Sequence, residues 1–354
     1  MQNSSVSFWD FLMSDFVVHK GRRAADGFAR GYGADVREVL FEPDERTTIL
    51  LDDGRAGAGS CLGCGTPPCI EKHPSEFGLP GALDNYPGDP SLDVCPTRAI
   101  QWNAEKAIAR VLITDCIGCG LCVSRCPYGA ISLTKGLTAH VEMTDPDSLI
   151  TTREGHGEHA TPKRSGQIAS LDAPAAAKLP ATVDGLTDTR AALLIRNLLN
   201  EIGLNARVRR RGDTNMRIDA VGFSRSERPF VSEIELSAGV LESPRALLED
   251  VAILHARYGY AVADIDPVSI ILSLPNVRSE YYQVIRDIEA VLGLRCRTIT
   301  IGALIALLWS CSRLDGFIDG AFVVGEGTIN LTTSLGIDAG LWHEPYPGAF
   351  KPAK

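Results

Sequence analysis

The chain has 354 residues, of which 45% are hydrophobic and 22% are charged, a composition typical of a globular protein with two or three domains. Its net charge of -9 argues against a general coat for nucleic acid, and its longest apolar run, 301–309, is too short to span a bilayer. The N-terminus has early acidic residues and no basic stretch, so no secretory signal is expected. These features predict a cytoplasmic location, where the ten cysteines would be thiols or metal ligands and not disulfides.

The N-terminal third divides into two segments of different composition. Residues 1–55 are predicted to form a small α/β lead-in, with an apolar helical face at 9–16 and strands at 36–40 and 48–51. Residues 56–143 are rich in Gly, Pro and Cys in their first part and lack long periodic segments. Because such a segment can bury little apolar surface, something other than a hydrophobic core must hold it together.

A polar, aperiodic segment at 144–187 is predicted to be a linker, and His156 and His159 within it are interpreted as solvated side chains. Residues 188–354 are predicted to form a mixed α/β domain. Its expected elements are a helix at 189–202, strands at 206–212, 216–223 and 230–236, a helix at 245–258, a strand at 269–274, helices at 281–292 and from 301, and a hairpin at 322–331.

Eight of the ten cysteines fall into two related motifs. The second motif reads Cys116-x2-Cys119-x2-Cys122-x3-Cys126-Pro127, and the first reads Cys61-x2-Cys64-x4-Cys69, followed after an insertion at 70–94 by Cys95-Pro96. Three thiolates at spacing three can wrap one face of an iron–sulfur cluster, while the cysteine before proline leaves that loop. Gly118 and Gly120 would let backbone amides approach the cluster.

Over roughly residues 56–135, this pattern resembles the bacterial ferredoxin domain that binds two [4Fe-4S] clusters. The segments CPTRAI at 95–100 and CPYGAI at 126–131 are similar to the paired cysteine–proline exits of that family. The resemblance implies that each motif lends its last cysteine to the other cluster. One cluster would take Cys61, Cys64, Cys69 and Cys126, and the other would take Cys95, Cys116, Cys119 and Cys122.

Two alternatives to a redox-active pair of clusters remain open from the spacing. The Cys-x2-Cys pairs could form a zinc ribbon, or the clusters could serve only as structural staples. The remaining cysteines, Cys296 and Cys311, lie on apolar segments that are predicted to be helical, and both are expected to be buried, inert thiols.

The C-terminal domain offers a set of carboxylates on neighbouring predicted strands. Asp219 lies on one strand, and Glu233 and Glu235 lie two residues apart on the next, so the two glutamates share a face. Such like charges need solvent, a shared proton or a cation to relieve their repulsion. With Asp219 they would make a site of hard oxygen ligands suited to Mg2+.

The order of helix, three strands, helix and strand resembles the restriction-endonuclease-like PD-(D/E)xK superfamily. The resemblance implies that Asp219 and Glu233 hold a divalent metal that activates water, that Glu235 stands where a catalytic lysine is usual, and that Glu201 is an auxiliary ligand. The nearby arginines suit contact with phosphates, or else a solvated hairpin with ion pairs. These arginines are Arg207, Arg209, Arg210, Arg211, Arg217, Arg225 and Arg228.

The expected fold class is therefore α+β, with a double-cluster ferredoxin-like domain joined by a linker to a restriction-endonuclease-like α/β domain. The favoured function is one-electron transfer, with the C-terminal domain docking onto a redox partner protein or regulating the carrier. The alternative is an iron–sulfur protein that is a metal-dependent nuclease or binds nucleic acid, in which the clusters sense redox state or position the substrate.

Overall fold

A computed structural model of the chain describes residues 50–51, 67–104, 108–125, 131–134, 138–141, 149–150, 182–183, 185–213, 215–236, 238–309, 312–317, 331, 335 and 348–352. The chain divides into two compact units, the first made of 1–72 and 93–172 and the second of 73–92 and 173–354. The helical face predicted at 9–16, the strand at 36–40, nearly all of the hairpin at 322–331 and most of the linker, with its two histidines, lie outside the described residues, as does Cys311.

The described part of the first unit contains short strands and one short α-helix. In chain order its elements are β1 (Leu50–Leu51), β2 (Ile100–Asn103), β3 (Ile108–Val111), α1 (Leu121–Arg125), β4 (Ile131–Thr134), β5 (Thr138–Val141) and β6 (Leu149–Ile150). Antiparallel pairs join β1 to β6, β2 to β3 and β4 to β5. Two-stranded ribbons are marginal alone in water, in keeping with a segment that needs further cross-links.

The second unit is built around a five-stranded sheet. Its elements are α2 (Asp188–Glu201), β7 (Asn205–Val208), β8 (Ala220–Phe223), β9 (Pro229–Glu235), α3 (Ser243–Tyr258), β10 (Asp266–Ile271), α4 (Glu280–Leu292), β11 (Arg297–Thr300) and α5 (Ile301–Trp309). The strand order is β11-β10-β9-β8-β7, in which β7, β8 and β9 are antiparallel neighbours and β9, β10 and β11 are parallel.

Within the described residues, the order of the elements predicted from the sequence is present, with three corrections. Strand β8 begins at Ala220 and not at 216, so Asp219 lies just before the strand and not on it. Strand β11 was not predicted, and Cys296 therefore precedes a strand instead of lying on a helix, although it is buried as expected. Strand β7 ends at Val208 because the chain turns at Arg210–Asp213, where the Asp213 N–H donates to the Arg210 carbonyl and Gly212 has a φ of +77°. A positive φ cannot continue a strand and costs glycine little.

The longer helices begin and end at recognisable signals. Helix α3 carries Pro244 in its first turn and stops at Gly259, whose φ is 79°. Helix α4 begins after Ser279, whose side chain accepts a hydrogen bond from the Tyr281 N–H at 3.3 Å, and stops at Gly293. Within the described residues no helix is long and apolar enough to cross a membrane.

The sheet of the second unit is covered on both faces. Helices α3 and α4 pack on the face that carries Val221 and Val231, and together they form the larger hydrophobic core. On the opposite face, α2 contributes Leu193 to a smaller cluster with Val208 and Ala220. Alternation along β9 therefore directs Glu233, two residues after Val231, towards the α3 face.

Most of the insertion between Cys69 and Cys95, residues 73–92, belongs to the second compact unit, whereas the sequence predicts one domain over 56–143. Its residues Leu79, Leu83 and Tyr86 are buried in the larger core. Tyr86 donates its hydroxyl to the Ile218 carbonyl at 2.8 Å. The insertion is therefore a structural component of the α/β unit.

Further polar contacts fix the insertion along strand β7. The Asp89 N–H donates to the Val208 carbonyl at 2.8 Å, and Arg207 donates to the Asp84 carbonyl at 2.7 Å and to its carboxylate at 2.9 Å. The Arg196 guanidinium lies 4.4 Å from the ring centroid of Phe77, in cation–π contact. These contacts join the insertion to residues more than a hundred positions later in the chain, an arrangement that no sequence pattern indicated.

Candidate functional site

Four of the predicted cluster ligands surround one small cavity in the first unit. Its volume is about 20 Å³, and its lining includes Cys95, Cys116, Cys119 and Cys122. Cys95 comes from the first motif and the other three come from the second motif. Their meeting brings together thiols from both motifs, in the combination that the ferredoxin resemblance implies.

The conformation of one loop positions three of these thiols. The loop that carries Cys116, Cys119 and Cys122 contains Gly118 and Gly120, whose φ values of 68° and 85° lie in the left-handed region that glycine adopts most easily. This conformation lets the loop wrap around the cavity and enter α1 at Leu121.

The return of the insertion explains how Cys95 reaches the same cavity. The Val94 N–H donates to the Ile70 carbonyl at 2.9 Å, and Glu71 forms an antiparallel bridge with Asp93. The chain thus leaves and re-enters the first unit at adjacent positions. The two ends of the insertion therefore lie side by side, which places Cys95 close to the start of the insertion despite its length.

Hydrogen bonds and burial define the electrostatics of the cavity. The Ala99 N–H donates to the Cys95 Sγ at 3.3 Å, and the Thr97 Oγ1 lies 3.3 Å from the same sulfur. Burial raises the pKa of the Cys119 thiol, and the neighbouring Cys95 and Cys116 raise it further, while the Leu121 N–H lowers it. Thiolates gathered at such a place require a cationic centre to remain deprotonated.

The donor set suits an iron–sulfur cluster, because four soft thiolates are the ligands that iron cubanes take. Within the described residues, no group of three or more His, Cys, Asp or Glu side chains is gathered closely enough to hold a metal ion. The four cysteines nevertheless line one cavity, and their thiols are the ligand type that such a cluster takes.

The first motif is described only in part. Cys61, Cys64 and Cys126 lie outside the described residues, whereas Cys69 is buried in a turn in which the Ile70 N–H donates to the Pro67 carbonyl. Arg125, the last residue of α1, donates its Nε to the Pro68 carbonyl at 2.6 Å. A hydrogen bond therefore joins Arg125, the residue before Cys126, to Pro68, the residue before Cys69. The sequence did not indicate this contact.

The carboxylates predicted as a metal site lie in the second unit. The register of β8 with β9 places Asp219 beside Glu233. One Asp219 oxygen accepts from the Ile234 N–H at 3.2 Å, and the other lies 3.2 Å from an Arg209 nitrogen. Asp219 is thus held by an arginine and a backbone amide.

Glu233 has a strongly perturbed acidity. Burial, followed by the nearby charges of Asp219, Asp250 and Glu235, raises the pKa of Glu233 to about 8. Asp250 on α3, which sequence reasoning missed, is buried, and one of its oxygens has no hydrogen-bond partner among the described residues. Burial, together with Asp219, raises the pKa of Asp250 to about 7.

These values mean that Glu233 holds a proton at neutral pH and that protonation, at least in part, relieves the repulsion within the group. An acidic residue three positions after buried Leu247 and four before buried Leu254 was the sequence signal for Asp250. Glu201, expected as an auxiliary ligand, ends α2 near the start of β7, at the opposite end of the sheet from Asp219. It therefore does not join the group.

Most arginines expected to contact phosphate are already used within the second unit. Ion pairs join Arg207 to Asp84, Arg209 to Asp219, Arg217 to Glu249, Arg225 to Asp315 and Arg228 to Asp266. Arg210 and Arg211 remain exposed at the turn after β7. The arginine cluster is thus largely a set of local ion pairs, the alternative that the sequence had left open.

Comparison with known proteins agrees with the cysteine cavity. Residues 87–136 match the family model described as the LdpA Fe-S cluster-binding domain. This segment contains Cys95 and the whole second motif, so the chain carries an iron–sulfur cluster-binding domain of ferredoxin-like character.

The chain is also 51% identical over 39 residues to the uncharacterized ferredoxin-like protein YdhX of Escherichia coli strain K12, and equally to that of Escherichia coli O157:H7. The matched stretch covers 11% of this chain and 17% of either relative. No solved structure matches the chain.

Proposed function

We propose that the protein is a one-electron carrier that binds two [4Fe-4S] clusters. One cluster would be held by Cys61, Cys64, Cys69 and Cys126, and the other by Cys95, Cys116, Cys119 and Cys122. When bound, such clusters accept and release single electrons. The observation that carries the proposal is the gathering of Cys95 with three cysteines of the second motif around one cavity.

The residues of the chain would perform three tasks for such clusters. The eight thiolates occupy every iron position, which leaves no open site for substrate and favours electron transfer over bond-making chemistry. The Ala99 N–H and the Thr97 hydroxyl would disperse negative charge on the Cys95 sulfur. The hydrogen bond from Arg125 to the Pro68 carbonyl would help to hold the chain beside Cys69 close to the chain beside Cys126, as a shared cluster requires.

The second unit would dock a redox partner protein or regulate the carrier. Its insertion at 73–92 connects Cys69 directly to Cys95, so a partner that binds the α/β unit would act on a segment whose two ends are cluster ligands. The proposal assigns no catalytic residue to this unit.

Anaerobic purification followed by iron and sulfide analysis tests the proposal. A brown protein with about eight irons per chain is expected, together with an EPR signal of reduced cubanes after dithionite treatment. A colourless zinc protein would overturn the proposal. If the clusters accepted no electron at any accessible potential, their role would be structural and the electron-transfer proposal would be wrong.

A second candidate is a metal-dependent nuclease, favoured by the order of elements in the second unit and by Asp219 beside Glu233. In that case Mg2+ would be held by Asp219 and Glu233, with Glu235 beside it. Incubation with supercoiled DNA and Mg2+ or Mn2+ tests this candidate, with the Glu233→Ala variant alongside. Equal nicking by both proteins, or none by either, would exclude it.

A further inference from the structure

The second unit contains a cavity of about 760 Å³ that the electron-transfer proposal does not use. Its walls include the end of β7 with the following turn, the start of α2 and the end of β9. Asp89 of the insertion and Asp219 before β8 also line it. Its size lies within the range of sites that bind small molecules, roughly 300–1,000 Å³.

One wall of the cavity is basic. Arg209, Arg210 and Arg211 all line it, but Arg209 is occupied by Asp219 at 3.2 Å. Arg210 and Arg211 are exposed, and neither forms an ion pair with any other residue in the described part of the chain. They leave two positive charges available to an anionic ligand.

The start of α2 adds donors to the same cavity. The helix has 14 residues, and Thr187 at its N-cap makes no side-chain capping hydrogen bond. Since the first backbone N–H groups of a helix have no partner within it, they attract anions together with the helix dipole. Thr187 and Thr189, which line the cavity, add two hydroxyl groups.

The cavity is also lined by acidic residues, two of which accept hydrogen bonds from nearby backbone N–H groups. Asp89 accepts a hydrogen bond from the Ser91 N–H at 2.8 Å, and Asp213 accepts one from the Asn215 N–H at 2.9 Å. Glu235 is placed at the end of β9. The cavity therefore combines carboxylate acceptors with the arginines and does not suit a purely anionic ligand.

Apolar side chains complete the cavity, among them Leu186, Val208 and Ile234. We propose that this cavity binds a nucleoside phosphate as a free small molecule. The phosphate would meet Arg210, Arg211 and the N-terminus of α2. The sugar hydroxyls would donate to Glu235, and the base would lie on the apolar surface.

Isothermal titration of the anaerobically purified full-length protein with ADP tests this site. The arms are ADP, adenosine, inorganic phosphate and a short single-stranded oligothymidylate. Binding of ADP is expected, with adenosine and phosphate each weaker. The double variant Arg210→Ala/Arg211→Ala should bind ADP about 10- to 100-fold less tightly, because hydrogen bonds to charged groups contribute on that scale.

The control is Arg278→Ala, which removes an exposed arginine that does not line the cavity, and it should bind ADP as the wild type does. Absence of ADP binding, or ADP binding that the double variant leaves unchanged, would overturn the proposal. Tighter binding of the oligothymidylate than of ADP, lost in the double variant, would replace it with a nucleic-acid site. Iron content measured in the same samples tests the electron carrier separately.

Discussion

Substitution of Leu83 by alanine tests whether the insertion at 73–92 is a structural part of the α/β unit. The Leu83 side chain is fully buried and packs in the core that also contains Leu247 and Ile285. Truncation of a buried leucine to alanine costs about 2–4 kcal/mol through lost burial and the cavity left behind. The Leu83→Ala variant should therefore destabilise a unit whose other elements begin about a hundred residues later.

Hydrogen exchange of strand β10 reports this loss of stability, because all six residues of the strand are buried. Where the strand exchanges through unfolding of its unit, a loss of about 2–4 kcal/mol accelerates exchange roughly 30- to 700-fold. The control Leu292→Ala removes a side chain that is 59% exposed and should change exchange little. Unchanged exchange of β10 in Leu83→Ala would refute the assignment of the insertion to this unit.

Three further predictions concern the electrostatics of the two units. Replacing Thr97 by valine should lower the reduction potential of the cluster that Cys95 ligates, as measured by EPR-monitored redox titration, because an O–H donor to the coordinating sulfur is lost. The Arg125→Ala variant should keep about four of eight irons, since it loses the bond to Pro68 that holds the other cluster's ligands together. Wild-type stability to urea should fall as pH rises from 4.5 to about 8, the span between the ordinary and the raised pKa of Glu233, and Glu233→Gln should flatten this fall.

The sign of the last effect follows from proton linkage. The raised pKa means that the folded chain keeps a proton that the unfolded chain releases, so rising pH favours unfolding until about 8. The control for Thr97→Val is Thr97→Ser, which keeps the hydroxyl donor. The control for Arg125→Ala is Arg110→Ala, which removes an exposed arginine of the same unit. The control for Glu233→Gln is Glu249→Gln on α3. A potential unchanged in Thr97→Val, a full iron content in Arg125→Ala, or a pH profile unchanged in Glu233→Gln would each contradict its prediction.

Local signals in the sequence sufficed for three helices of the second unit. Apolar periodicity predicted α2, α3 and α4 to within two residues at each boundary, because amphipathic stripes and terminal glycines are encoded within a few positions. Strand β11 was missed, since its four residues, Arg297–Thr300, mix polar and apolar side chains. Their burial involves tertiary contacts such as that between the hydroxyl groups of Thr298 and Tyr281.

The site was predictable only where ligand chemistry fixes the spacing. The resemblance of the cysteine motifs to the two-cluster bacterial ferredoxins implied that Cys95 would meet Cys116, Cys119 and Cys122, and these four line one cavity. In contrast, the burial of Tyr86 and the contact of Arg125 with Pro68 depend on distant parts of the chain. No local pattern encodes such tertiary contacts.

The central claim is that Cys95 ligates the same cluster as Cys116, Cys119 and Cys122, while Cys69 serves the other. EPR spectra of the reduced variants Cys95→Ser, Cys119→Ser and Cys69→Ser test this claim most directly. The account predicts that Cys95→Ser and Cys119→Ser alter the same cluster signal and that Cys69→Ser alters a different one. The claim would be contradicted if the single variants Cys95→Ser and Cys69→Ser altered the same cluster signal while Cys119→Ser altered the other one.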